Sequence, residues 1–178
     1  RERQGWTHLV ASICRMFLGE TARAEQEFQD GIELATSIGE VRLVSLLRAF
    51  YAMMLADLGR HEEALAIAHE NFDWAEGTSM IHMRTQARHC LAHVRFRMGE
   101  HDEALRLCEE ILALTASVES RTTRLYIGPM HVETLLALGR GEAVQLQLAV
   151  FALGQLGGEF ARPLLQNGCD VGCLVVGA

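Results

Sequence analysis

The chain has 178 residues, of which 49% are hydrophobic and 22% charged, a balance that excludes disorder as a description of the whole. Sixteen basic side chains stand against 23 acidic ones, a net charge of -7. That argues against nucleic-acid contact by this segment, because phosphate binding needs a concentrated basic face.

Apolar residues recur at helical spacing along most of the chain. They predict helices near 4–18 and 20–37, 41–58 and 60–76, 79–98 and 100–115, and 120–138 and 140–154. Sustained two-residue alternation is missing, so no sheet is expected, and no run of eighteen apolar residues marks a membrane span. Four strings line up along this series: "LGETARAE" from Leu18, "LGRHEEAL" from Leu58, "MGEHDEAL" from Met98 and "LGRGEAVQ" from Leu138. Their glycines, Gly19, Gly59, Gly99 and Gly139, fall forty residues apart.

The chemistry of that string is the chemistry of a tight helical hairpin. A large apolar residue ends one helix, and glycine takes the left-handed conformation that closes a helix C-terminus. Acidic residues such as Glu62, Glu63, Asp102 and Glu103 then enter the first turn of the next helix, where the dipole favours negative charge. Ala24, Ala64 and Ala104 follow five residues after the glycine, small enough for two helices to cross closely. In the third repeat, Met80, Ala87, Leu91, Val94 and Met98 form one apolar stripe, and Ala104, Leu107, Cys108, Ile111 and Leu114 another. Gly39, "EGTS" at 76–79 and "TASVES" at 115–120 mark breaks between hairpins, with Ser, Thr and Gly as capping residues. The repeats therefore run 1–38, 39–77, 78–117 and 118–155. Segment 156–178 follows as a cap or tail, in which Phe160 to Leu165 is expected to cover the end of the stack. The fourth repeat is the least regular, and Gly128-Pro129 is expected to kink its first helix.

Five cysteines, Cys14, Cys90, Cys108, Cys169 and Cys173, are an odd number, three of them in helical surroundings. A reduced, cytoplasmic protein fits this better than a disulfide framework. The chain starts at Arg1 without a signal pattern and reads as a processed chain or a piece of something larger.

In "LGRHEEALAIAHE" and "MGEHDEALRLCEE" the chain resembles the tetratricopeptide repeat family, over about residues 4–154. Ala52 and Ala92 stand where that family wants a small residue in the first helix, with Ser12 and Val132 as looser matches. The period departs from the family's thirty-four residues, and no closing proline is present. Forty-residue repeats resemble those of maltose-regulator-like bacterial transcription factors and related signalling ATPases. The resemblance implies an all-α, right-handed solenoid of four antiparallel helix pairs, serving as the sensor or partner-binding part of a regulator.

In such a stack the first helices line the concave face. The corresponding rows are Trp6, Leu9, Ile13 and Phe17; Arg42, Leu46, Ala49, Met53 and Asp57; His82, Gln86, His89, His93 and Arg97; and Thr122, Tyr126, Pro129, Glu133 and Ala137. The expected binding residues are Met53, Asp57, Gln86, His89, His93, Arg97, Tyr126 and Glu133, a mixed groove for a protein or peptide with apolar anchors and an acidic group. A small ligand held by Tyr126, His89 and Glu133 is the second reading, and self-assembly into a dimer the third. His89 and His93 are four apart around Cys90, but no acidic residue stands between them and a third ligand must come from another repeat, with Glu133 the nearest. No metal site, cofactor or catalytic residue is therefore expected. Glu62-Glu63 and Glu109-Glu110 read as turn or surface residues, and Trp6, Phe72 and Trp74 as packing residues.

Overall fold

The computed structural model describes residues 2–115 and 121–145, with side chains in the second stretch from 127 onward. All regular structure among the described residues is helical: α1 (Glu2–Phe17), α2 (Thr21–Ser37), α3 (Val41–Asp57), α4 (His61–Glu76), α5 (Ile81–Arg97), α6 (His101–Leu114) and α7 (Arg121–Ala137). The all-α repeat architecture expected from the periodicity is what forms, with these helix ends within two residues of the predicted ones. The chain divides into two compact units, Arg1–Leu114 and Thr115–Ala178. The first contains three helix pairs; the second contains α7, which runs through Pro129 without a break, and the start of a helix at Gly141. The expected end of the last helix near 154, the Phe160–Leu165 cap and the Cys169/Cys173 tail lie outside the described residues.

One turn recurs throughout. Gly19, Gly59, Gly99 and Gly139 all have positive φ, as does Gly39 between the first two pairs. In the second pair the Gly59 N–H bonds to the Ala56 carbonyl at 3.0 Å and the Arg60 N–H reaches back to Leu55 at 2.9 Å. The same two bonds recur at the other four turns, for example Gly99 to Phe96 and Glu100 to Arg95. The residue after the glycine then opens the next helix with its own carbonyl, Arg60 accepting from Ala64 at 3.0 Å and Glu100 from Ala104 at 3.1 Å. One residue thus closes one helix and starts another, which limits the connection to three residues. The expectation of Ser and Thr side-chain caps fails at "EGTS", while residues 116–120 of "TASVES" lie outside the described residues. Glu20, Glu40, Arg60 and Met80 occupy the cap positions without a side-chain cap bond. In "EGTS" the Thr78 hydroxyl donates back to the Ala75 carbonyl at 2.8 Å, so it closes α4 instead of opening α5.

Ala24, Ala64 and Ala104 are fully buried, as are Ala52, Ala92 and Ser12 in the first helices. Phe28, Leu43, Leu47, Leu55, Met83, Leu107 and Ile111 fill the space that these small residues leave between helices. Helix α3 packs on α1, α2, α4 and α5, so a central pair leans on both neighbours. The Cys90 thiol donates to the Ala49 carbonyl at 3.3 Å, which shows α5 crossing the middle of α3. Helix α1 packs on α2 and α3, and its other side carries Trp6, Val10 and Phe17 in contact with solvent. Val10, the forty-residue counterpart of Phe50 and Cys90, is 59% exposed.

A Cβ added at Gly99 would meet nothing within 4 Å, yet φ there is +82°. Gly99→Ala is therefore expected to cost about 1–2 kcal/mol of backbone strain, with Asn costing less, as read by denaturant unfolding. An unchanged midpoint in the Ala variant would contradict the role given to this turn.

Candidate functional site

The six expected binding residues of the first unit lie on α3 and α5, and three of them meet. His93 Nε2 is 2.9 Å from Asp57 Oδ1, and Arg97 Nε is 3.1 Å from the same oxygen. Asp57 is the last residue of α3, where a negative charge opposes the helix dipole; two groups from α5 compensate it. Burial alone raises the Asp57 carboxyl, but the His93 hydrogen bond and the charges of His93 and Arg97 prevail and hold it below the usual carboxylate range. Arg97 remains 44% exposed and Asp57 50%, so the cluster is open to a partner. Met53 and Gln86 are half-buried on the same two helices.

On α1, α3 and α5 the full expected row does not reach the surface, whereas Pro129, Glu133 and Ala137 of the α7 row are exposed. Leu9, Ala49 and His89, in the middle of their rows, are buried. At Ala49 the physical reason is the crossing of α5 over the middle of α3. His89 likewise stands beneath the surface. Glu133 is exposed on α7 in the second unit, and the Tyr126 side chain lies outside the described residues.

A second polar centre was not singled out by sequence reading. Arg88, 7% exposed, lies with its guanidinium 5.0 Å from the centre of the Phe72 ring, pairs with Glu76 at the end of α4 and reaches Glu110 of α6 at 3.2 Å. Arg84 joins Glu76 at 3.2 Å, and Arg106 pairs with Glu110. Hydrogen bonding to Arg88 outweighs partial burial at Glu76 and, with Arg84, pulls its carboxyl down to about 2. One signal was available in the sequence: Arg48 and Arg88 are forty apart, as are Glu70 and Glu110, and Arg48 pairs with Glu70 at 2.9 Å as Arg88 does with Glu110.

Burial pushes the His89 imidazole down to about 4, with the charge of His93 adding to it. It pushes the Cys90 and Cys108 thiols up to about 12, far from a reactive thiolate. Among the described residues no group of three or more His, Cys, Asp or Glu side chains is placed to hold a metal ion, and no helix is long and apolar enough to cross a membrane.

The family model for the tetratricopeptide repeat matches residues 45–70 and 85–110. Each match starts in a first helix, α3 or α5, and ends in its partner, α4 or α6, and the two are offset by the forty-residue period. These stretches are similar to tetratricopeptide repeats, a family of non-catalytic scaffolds that generally mediate contact between proteins. No curated protein and no solved structure matches the chain.

Two of the depressed groups, His89 and Glu76, set a pH dependence. His89 is neutral in the fold to about pH 4, whereas the unfolded imidazole takes a proton near 6.5. The unfolded state binds more protons in that window, so stability is lost as pH falls from 6.5 to 4. Glu76 contributes stability present above its ordinary value of 4.5 and lost as pH falls towards 2. Thermal melts are expected to drop across both windows, and His89→Leu should flatten the upper one by on the order of 2 kcal/mol. An unaltered slope between pH 6.5 and 4 in that variant would rule out His89 as its source.

Proposed function

We propose that the chain is a protein- or peptide-binding segment of a bacterial transcriptional or signalling regulator, working in the cytoplasm. It presents the free ends of its first helices to an extended partner. The observation that carries this reading is the open cluster of Asp57, His93 and Arg97 on the two helices where the family match begins. Met53 and Gln86 flank it with apolar and amide contacts, Glu133 and Tyr126 are the counterparts in the fourth repeat, and His89 supports the surface from below. A partner carboxylate would compete with Asp57 for Arg97, and a partner guanidinium would compete with His93 for Asp57. Such exchange of ion pairs gives selectivity at small cost, because exposed pairs contribute about 0–1 kcal/mol each to the fold. The free, core-placed thiols of Cys90 and Cys108 support the reducing compartment.

Self-association is a second reading, favoured by one feature: the solvent-facing stripe of Trp6, Val10 and Phe17 on α1. Mass that rises with concentration in light scattering, and no longer does so in Val10→Lys, would mark that stripe as a contact between copies.

Replacing His93 and Arg97 together by Ala is expected to weaken partner capture in a pull-down about tenfold or more, while the melting temperature moves by no more than about 2–4 °C. Undiminished capture by the double variant would remove the first-helix surface as the binding site.

A further inference from the structure

Repeats that fold alike provide an internal comparison: residues forty apart occupy equivalent places, and a difference in chemistry between them is a difference in what the place does. Where α4 meets α5, the Glu76 carboxylate sits on Arg88 and Arg84. Forty residues earlier, where α2 meets α3, Thr36 stands for Glu76, Val44 for Arg84 and Arg48 for Arg88. The arginine is kept and the carboxylate that fills the space is gone. In its place is a cavity of about 210 Å³ lined by Val41, Val44, Ser45, Arg48, Asn71 and Trp74, with Thr36 at its edge.

The groups around this cavity are poised for a ligand. Arg88 holds two carboxylates at once, Glu76 and Glu110. Arg48 has one ion-pair partner among the described residues, Glu70, although a guanidinium offers five N–H donors. Ser45 is 1% exposed and its Oγ has no hydrogen-bond partner, whereas its counterpart Thr85 donates to the His82 carbonyl at 3.0 Å. Asn71, also buried, spends its amide on the Ser45 carbonyl at 3.2 Å and so holds α4 against α3 at this point. Buried hydroxyls without partners are costly and uncommon. Trp74, Val41 and Val44 provide the apolar walls.

We propose that this cavity binds a small carboxylate carrying one apolar group, its carboxylate on Arg48 and its apolar part against Trp74. The bound carboxylate stands where Glu76 stands in the next repeat. The volume lies below that of drug-sized sites, which limits the occupant to a small acid or the acidic end of a peptide. The site is at the N-terminal half of α3, whereas Asp57 ends the same helix, twelve residues or about 18 Å further on. A ligand here seats α4 on α2 and α3 without touching the proposed partner surface, so the two sites are separable by experiment.

The test uses the Trp6→Phe chain, in which Trp74 is the remaining tryptophan, with 3-phenylpropanoate, its primary amide and the peptide Gly-Gly-Phe as probes. Saturable change in Trp74 fluorescence with the acid, and binding of the amide weaker by about tenfold or more, is the expected result. Binding by the peptide as well would place the carboxylate's source at a chain end, and binding by the free acid alone would place it with a metabolite. Thr36→Glu grafts the missing carboxylate into the cavity; it is expected to raise the melting temperature by about 2 °C and to abolish acid binding. Arg48→Gln, with helix content checked by circular dichroism, should weaken the acid and leave the amide unchanged. Equal binding of acid and amide, no saturable signal from either acid probe, or full acid binding by Thr36→Glu would overturn the proposal.

Discussion

A pair of helices of this length cannot shield its own apolar faces, and the three-residue glycine turn determines how the pairs meet. At each such turn a left-handed glycine lets the following residue bond backwards through its N–H and forwards through its carbonyl. No slack remains in the connection. The connection is therefore equally short wherever the turn occurs, and the buried alanines five residues on allow the paired helices to approach closely. Comparison between residues forty apart within a pair rests on that constancy, whereas the α4–α5 connection is closed by Thr78 instead.

Upon this constant frame the polar chemistry varies. The pairs Arg48–Glu70 and Arg88–Glu110 tie a first helix to its own partner in two successive repeats. Across repeats the ties differ. Arg60, in the turn before α4, holds Glu25 of α2 at 2.9 Å, Tyr51 donates to the same carboxylate at 2.7 Å, and Asp57 of α3 faces α5. Partly buried pairs of this kind contribute little net stability compared with the apolar core. Their value lies in making each junction between repeats chemically distinct, which a surface built from identical repeats would lack.

Sequence reading recovered the features that depend on spacing. The glycine phase, the helix ends, the buried alanines and the all-α class follow from local rules that the stack leaves intact. It failed where neighbours decide. Ser and Thr before α5 suggested caps, but the Thr78 hydroxyl bonds back to Ala75 and Met80 stands at the cap position. Ala49 lay on the expected face by helical geometry, yet the crossing of α5 buries that part of the α3 row, and His89 on α5 is buried as well. The Glu76–Arg88 centre joins three helices, and no rule confined to one helix would find it. The cavity beside Arg48 was least legible, since it arises from a side chain that is not there.

The bare side of α1 bears on how the molecule comes apart. Helix α1 packs on two described helices and α3 on four, so within the first unit α1 is the less supported of the two. Gly5 of α1 and Gly31 of α2 admit Leu43 and Leu47 at close range, so both helices lean on α3 through positions where a side chain would not fit. Within the first unit, the amide protons of α1 would exchange faster than those of the more widely supported α3.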